Sequence, residues 1–281
     1  MNTLFKIRGL VCGYNNHNAV LQVPSLDIDA GKTLVVLGKS GSGKSTFLET
    51  LALMNNTYRQ GSIYFSPSAL NGKSPMEFGG LWGKISLEEL AKIRCRHFSF
   101  IFQQTNLMPN FTVFENIYIT RLMQGYPDNE CKVFTKNILT RLGLSTIDTN
   151  RKVTELSGGQ RQRVAFARAI VSSFDVLFGD EPTGYLDEIN SIELLQLLRE
   201  NIQLSSQNQM RTAIIVTHSI ALALNFADTI IVITRKDEES PGVIKAENMF
   251  HKVVETNKSK WTNGKVTLAE KEFESHLRKM F

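Results

Sequence analysis

Residues 38 to 45 read GKSGSGKS, set between the apolar run TLVVL and the helically spaced FLETLALM. Gly38, Gly43, Lys44 and Ser45 fit the spacing G-x-x-x-x-G-K-[ST] in the context it needs, after a strand and before a helix. Glycines at these points let backbone amides close on phosphate oxygens. Lys44 can then reach terminal phosphates, and the Ser45 hydroxyl can ligate Mg²⁺. A second stretch, DVLFGDEPTG, puts Asp180 just beyond another buried strand, where open α/β sheets present their ligands. Asp180 suits a Mg²⁺ position. Glu181, next to it, suits the orientation of a water for attack on a terminal phosphoryl group. His218 closes a third apolar run, TAIIVTHS, and is expected beside the other two as a hydrogen-bonding sensor of that phosphate. TELSGGQRQR, residues 154 to 163, is a helix start with bare amides and a favourable dipole, so it too is suited to an anion.

These residues need a parallel sheet to bring them together. LFKIRGLVCGY and LQVPSLDIDAG alternate as strands, while TLVVL, FSFIF, DVLF, TAIIVT and DTIIVIT read as short buried strands. SLEELAKIRCRHF reads as a helix opened by a capping box of Ser86 and Glu89. Helical periodicity runs over 112–144, broken at Gly125-Tyr126-Pro127 and at Gly143. SIELLQLLRENIQ is an amphipathic covering helix, and LAEKEFESHLRKMF is a terminal one. Residues 61–84 are rich in Gly, Ser and Pro and read as a strand or hairpin followed by a surface loop.

The whole chain, 281 residues with 42% apolar and 21% charged, is of ordinary globular composition. Its net charge of +5 permits a phosphate ligand or an anionic membrane surface, but lacks the density of a dedicated nucleic-acid binder. Cys12, Cys95 and Cys131 show neither zinc nor disulfide spacing, so reduced cytosolic thiols are expected. No apolar window approaches the length of about eighteen residues that spans a bilayer, and MNTLFKIRGLVCGY lacks the core of a secretory signal. Work at a membrane would therefore need another chain.

The combination resembles the nucleotide-binding subunit of ATP-binding cassette (ABC) transporters over roughly residues 3–235. GKSGSGKS matches the family's Walker A loop, IFQQTNLMP its Q-loop, LSGGQ its signature, VLFGDEP its Walker B, GYLD its D-loop and VTHS its switch histidine, in family order. The fold class implied is α/β, a P-loop NTPase core with an antiparallel β subdomain and a helical subdomain inserted at roughly 105–150. The ATPase domain would occupy 1–235, and 236–281 is read as a polar, solvated extension.

The resemblance implies ATP and Mg²⁺ as cofactors, with Ser45, Gln103 and Asp180 toward the metal and Glu181, His218 and Gln103 toward catalysis. Gly38, Ser40, Gly41, Gly43, Lys44, Ser45 and Thr46 would hold the phosphates. Tyr14 would stack on adenine, the alternative being a strand aromatic packed in the core. Ser157, Gly158, Gly159, Gln160 and Asp187 would act across a head-to-tail dimer, the signature closing over ATP held by a second copy. The implied partners are a transmembrane permease subunit and that second ATPase subunit, with no nucleic acid. The implied location is the cytoplasmic face of the inner (plasma) membrane.

EPTG before YLD, with RHFSFIFQQTNLMPNFTVFENI upstream, is similar to the branch serving lipoprotein release, macrolide-type export and cell division. Coupling would run through a groove beside Gln103, which Phe111, Phe114 and Tyr118 either line or leave for the core. A transport motor, a cell-division regulator whose membrane partner moves no substrate, and a soluble ATPase acting on DNA or ribosomes are the competing functions. NGKSPMEFGGLWGK has no assigned role.

Overall fold

The computed structural model describes residues 3–14, 18–67, 74–144, 148–184, 188–203, 210–255 and 258–281. The first two alternating runs form β1 (Thr3–Cys12) and β2 (Leu21–Asp29), paired antiparallel. TLVVL is β3 (Thr33–Leu37), buried along its whole length, and the glycine loop leads into α1 (Lys44–Leu51). After it come β4 (Tyr58–Phe65) and a short β5 (Met76–Glu77), which complete one edge of the antiparallel sheet. Part of the unassigned NGKSPMEFGGLWGK stretch is thus structural: Phe78 is buried, its ring 5.0 Å from Phe65 and 6.2 Å from Phe5.

The capping box of Ser86 and Glu89 opens α2 (Leu87–His97) as expected, and FSFIF forms β6 (Phe98–Ile101). The helical stretch divides at the Gly125–Pro127 break into α3 (Val113–Met123) and α4 (Asp128–Arg141), both packed on α5 (Gly158–Val171). Next come β7 (Val176–Asp180), α6 (Glu188–Gln203), β8 (Thr212–Thr217), α7 (Ile220–Phe226) and β9 (Thr229–Val232). A two-residue β10 (Gly242–Val243) runs parallel to β2. The central sheet carries the parallel order β9-β3-β8-β7-β6.

Its register aligns the strand ends that matter. Leu37 sits opposite Thr217, and Asp180 opposite Val216, so three loops leave the sheet at one edge. The alternation of β3 sends Leu34 and Val36 to the core shared with the antiparallel sheet, and Val35 and Leu37 to the core under the helices.

The expectation of a solvated extension after residue 235 is corrected. Here β11 (Met249–Glu255) pairs antiparallel with β9 and is followed by β12 (Lys258–Thr262), β13 (Thr267–Ala269) and α8 (Glu270–Met280). Trp261, Phe273 and Leu277 are fully buried in the same core as Val35, with Trp261 stacked on Phe273 at 5.1 Å. Polarity of composition hid this, because the polar residues occupy the outer positions. The terminal helix itself lies where periodicity predicts it.

Phe273→Ala should therefore destabilise the protein by about 3–5 kcal/mol, as for other aromatic truncations in cores. Lys271→Ala, on the exposed side of α8, should stay within about 0.5 kcal/mol. Urea unfolding measures both. Equal, negligible shifts would mean that this segment is not part of the cooperative core.

Candidate nucleotide site

The loop between β3 and α1 is shaped by close approach. A Cβ on Gly38 would lie 2.4 Å from the Ser42 hydroxyl, and Gly43, the N-cap of α1, has φ 96°. Neither position accepts an ordinary side chain without rearrangement. Gly43 supplies no side-chain cap, so amides at the start of α1 are left for an anion. Lys44 Nζ donates to the carbonyls of Gly38 (2.8 Å) and Lys39 (2.9 Å), which holds the ammonium against the loop. Burial lowers the Lys44 pKa, while the charges of Glu181 and Asp180 oppose that shift.

Both acids come from the end of β7. Ser45 Oγ donates to Asp180 Oδ2 at 3.1 Å. The Asp180 carboxyl is pushed above its ordinary range, chiefly by burial and further by the charges of Glu181 and Glu49; Ser45 and Lys44 act the other way. Glu181 takes a left-handed backbone, φ 44°, with its N–H on Val216 O at 3.0 Å. That turn carries its carboxylate back over β8. There Oε2 accepts from Thr217 Oγ1 (2.9 Å), and Oε1 accepts from the His218 amide (3.0 Å). His218 Nδ1 lies 2.8 Å from Oε1, within hydrogen-bond distance. The His218 ring is otherwise 80% exposed, which leaves its other nitrogen to the cleft.

These groups line one cleft of about 510 Å³. Tyr14, Ser40, Gly41, Gly43, Lys44, Ser45 and Thr46 form one side; Gln103, Asp180, Glu181 and His218 form the other. Gly38 contributes its carbonyl to Lys44 from outside that lining. Tyr14 is 52% exposed, not packed in the core, and its hydroxyl meets Thr46 Oγ1 (3.1 Å) and Glu49 Oε2 (3.2 Å). Asp187 lies outside the described residues.

The donor set fits a divalent cation held jointly with phosphate. Among the described residues no three His, Cys, Asp or Glu side chains converge as a metal cage. Ser45, Asp180 and Gln103 offer few oxygens, as Mg²⁺ sites completed by phosphates and water do.

Ser157, Gly158, Gly159 and Gln160 do not join this cleft. They begin α5, where the first turn is less bare than expected. Ser157 Oγ accepts from the Gln160 amide (3.2 Å), and Gln160 Oε1 accepts from the Ser157 amide (3.0 Å). The S-x-x-Q spacing carried that signal. The amides of Gly158 and Gly159 remain without an intrahelical acceptor. Among the described residues nothing lies within 4 Å of a Cβ built on Gly158, so none of them requires glycine there.

Beside Gln103 runs an apolar groove of about 300 Å³, floored by Phe100, Phe102, Met108, Ile119 and Met123. Phe111, Phe114 and Tyr118 are not in its lining; Phe114 stacks on Tyr118 at 5.6 Å and packs against the core. Sequence reasoning missed Phe100 and Phe102, although their spacing of two along FSFIF puts them on one face.

A profile for the family described as ABC transporter matches residues 21–184. The macrolide export ATP-binding/permease protein MacB of Pasteurella multocida is 33% identical over 239 residues, covering 84% of this chain and 33% of its own length. MacB of Shewanella sp. is 37% identical over 214 residues, covering 76% and 30%. The chain thus spans about a third of these relatives. Among solved structures, MJ0796, described as a bacterial ABC transporter cassette and dimeric, superposes with TM-score 0.69 at 27% identity, covering 86% of this chain and 97% of its own. Another MJ0796 dimer, in a post-hydrolysis state with ADP and Pi, gives TM-score 0.68 at 26% identity, with coverage of 86% and 97%. The likeness to cbiO1 of Clostridium perfringens is one of fold: TM-score 0.71 at 23% identity, over 99% of this chain and 94% of its own.

The Asp180 shift has a testable sign. A carboxyl whose folded pKa is raised contributes stability below its unfolded pKa and loses that contribution as pH rises through the folded value. At neutral pH the charged form therefore burdens the nucleotide-free protein. Asp180→Asn should raise its melting temperature at pH 7, with the gain shrinking as pH falls toward the carboxylate range. It should also remove the extra stabilisation that Mg²⁺ gives in the presence of ATP. Thermal scans with and without Mg²⁺ measure this, and an unchanged Mg²⁺ increment would remove Asp180 from the metal site.

Proposed function

The chain belongs to the ABC transporter family; we propose that it is an ATP-hydrolysing cassette that dimerises around ATP to drive a separate membrane subunit of the export, lipoprotein-release or mechanotransmission type. One observation carries this reading. The cleft holding Lys44, Asp180, Glu181 and His218 lacks the α5 start, while that start presents its first-turn amides and a Gly158 with no described neighbour within 4 Å. Each chain then has half of two sites, and two head-to-tail copies complete both.

In this reading Lys44 and the loop amides hold the β- and γ-phosphates, and Ser45 and Asp180 hold Mg²⁺, with Gln103 reaching toward it. Mg²⁺ supplies neutralisation of phosphate charge. Tyr14 stacks on adenine once its hydroxyl leaves Thr46 and Glu49. Glu181 orients the attacking water, for which it must exchange part of its bonding to Thr217 and His218. His218 turns toward the γ-phosphate as it does so. Ser157, Gly158, Gly159 and Gln160 close over the other copy's ATP, joined by Asp187. Water adds to the γ-phosphorus, the bond to the ADP oxygen breaks, and ADP and phosphate leave with the interface loosened.

The apolar groove beside Gln103 receives the membrane partner, at the cytoplasmic face of the membrane. Among the described residues no helix is long and apolar enough to cross a bilayer. The relatives named for macrolide export favour the export form. The second reading is a cell-division-type regulator with the same ATP cycle but no cargo. A detergent pull-down that identifies the partner separates the two.

Glu181→Gln should abolish phosphate release while keeping ATP affinity, and should shift the protein to a dimer on size exclusion with ATP. Turnover like that of the wild type would remove Glu181 from its role. Gly158→Val should leave the melting temperature of the nucleotide-free protein nearly unchanged but abolish hydrolysis and the ATP-dependent dimer. Normal hydrolysis in that variant would refute the two-chain site.

A further inference from the structure

The helix that begins with the signature is tied to the Gln103 loop by one side chain. Arg168, in the last turn of α5, donates from Nη1 to Asn106 O at 2.8 Å and from Nη2 to Thr105 O at 3.0 Å. A guanidinium is a rigid fork that can hold two neighbouring carbonyls at once, which an ammonium cannot reproduce. Asn106 has φ 46°, a left-handed backbone that asparagine adopts more readily than other non-glycine residues, and this turn lies directly at the fork.

The far side of the segment is held as well. Asn116 is fully buried; its Oδ1 accepts from Met108 N (2.8 Å), and its Nδ2 donates to the carbonyls of Met108 (3.1 Å), Phe111 (3.3 Å) and Thr112 (3.0 Å). The loop is therefore not a slack tether. Gln103 sits exposed between the end of β6 and the Arg168 clamp. Arg168 also lines the apolar groove with Phe100, Phe102 and Met108, so whatever enters the groove presses on the side chain that holds this loop.

We propose that Arg168 is a positioning residue for hydrolysis, locking the Gln103 loop to α5 so that Gln103 at one nucleotide and Ser157 at the other move as one unit. The occupant of the groove acts on both through this fork. The inference rests on the cassette reading above, in which Gln103 approaches the Mg²⁺ and the attacking water.

The test uses the full chain, with Arg168→Lys, Gln103→Ala and the double variant, reading kcat, KM for ATP and melting temperature. Arg168→Lys should lower kcat about tenfold with KM held within about twofold, the split expected when an interaction acts in the transition state and not in ground-state binding. The double variant should be no slower than Gln103→Ala alone, because both remove the same contribution; a purely structural loss would multiply. Multiplying effects, or wild-type kcat in Arg168→Lys beside a slow Gln103→Ala, would overturn the proposal alone. Wild-type kcat in Gln103→Ala would instead remove Gln103 from the site, and the proposal with it. Arg168→Gln, without a charge to leave unpaired, repeats the measurement should the lysine variant unfold. Loss of fold in both, seen by circular dichroism, would assign Arg168 to stability and reject positioning.

Discussion

Two carboxylates in sequence at the end of a buried strand repel each other, and the cleft is organised by what offsets that repulsion. Glu181 is satisfied by the Thr217 hydroxyl at the end of β8 and by the amide of His218, the next residue. Asp180 receives the Ser45 hydroxyl from the start of α1, and Lys44 faces both acids from the same loop. Only the parallel order β3-β8-β7 supplies these donors together. Even so, Asp180 remains above its ordinary range, which leaves unrelieved charge where a divalent cation would be welcome. The strained backbone of Glu181 belongs to the same balance, since its left-handed turn is what brings the carboxylate to β8.

The sheet that sets this order must itself be shielded, because parallel strands are stable when both faces and edges are covered. The antiparallel sheet and α1 cover one face, and the helices cover the other. On the β9 edge the cover is β11, β12 and β13, locked by Trp261, Phe273 and α8. The terminal segment thus supports β9, the strand beside the phosphate loop's own β3. Stability and chemistry meet there, although none of its described residues lines the cleft.

The helical side has a different logic. Arg121 donates to Val171 O, and Gln124 joins the carbonyls of Cys95 and Ser173, so the α3 end is pinned to the core by polar contacts. A seam of directed hydrogen bonds can be exchanged for another set more readily than an interdigitated apolar core can be repacked. Such a seam would suit the nucleotide-driven movement proposed above. The groove floored by Phe100 and Phe102 lies along it.

What was legible in the sequence was local. The spacing of Gly38, Gly43, Lys44 and Ser45 holds its meaning in the covalent chain. Runs such as TLVVL and TAIIVT are buried strands because an unbroken apolar stretch bounded by polar turns has few other homes. The capping box of Ser86 and Glu89 and the break before Pro127 were readable for the same reason. The β12–β13 hairpin carried a local signal in Asn263-Gly264, with Asn263 Oδ1 accepting from Lys265 and Val266, but its polar surroundings masked it. By itself, then, the chain determined most element types up to residue 235, the terminal helix, the phosphate loop and the family of motifs, because each rests on neighbours a few residues apart. Tertiary structure alone decided that Glu181 bonds Thr217 and His218, that Arg168 holds Thr105 and Asn106, and that Trp261 lies under Phe273. Those contacts depend on which strands become neighbours and at what register, and that is settled by packing the whole sheet.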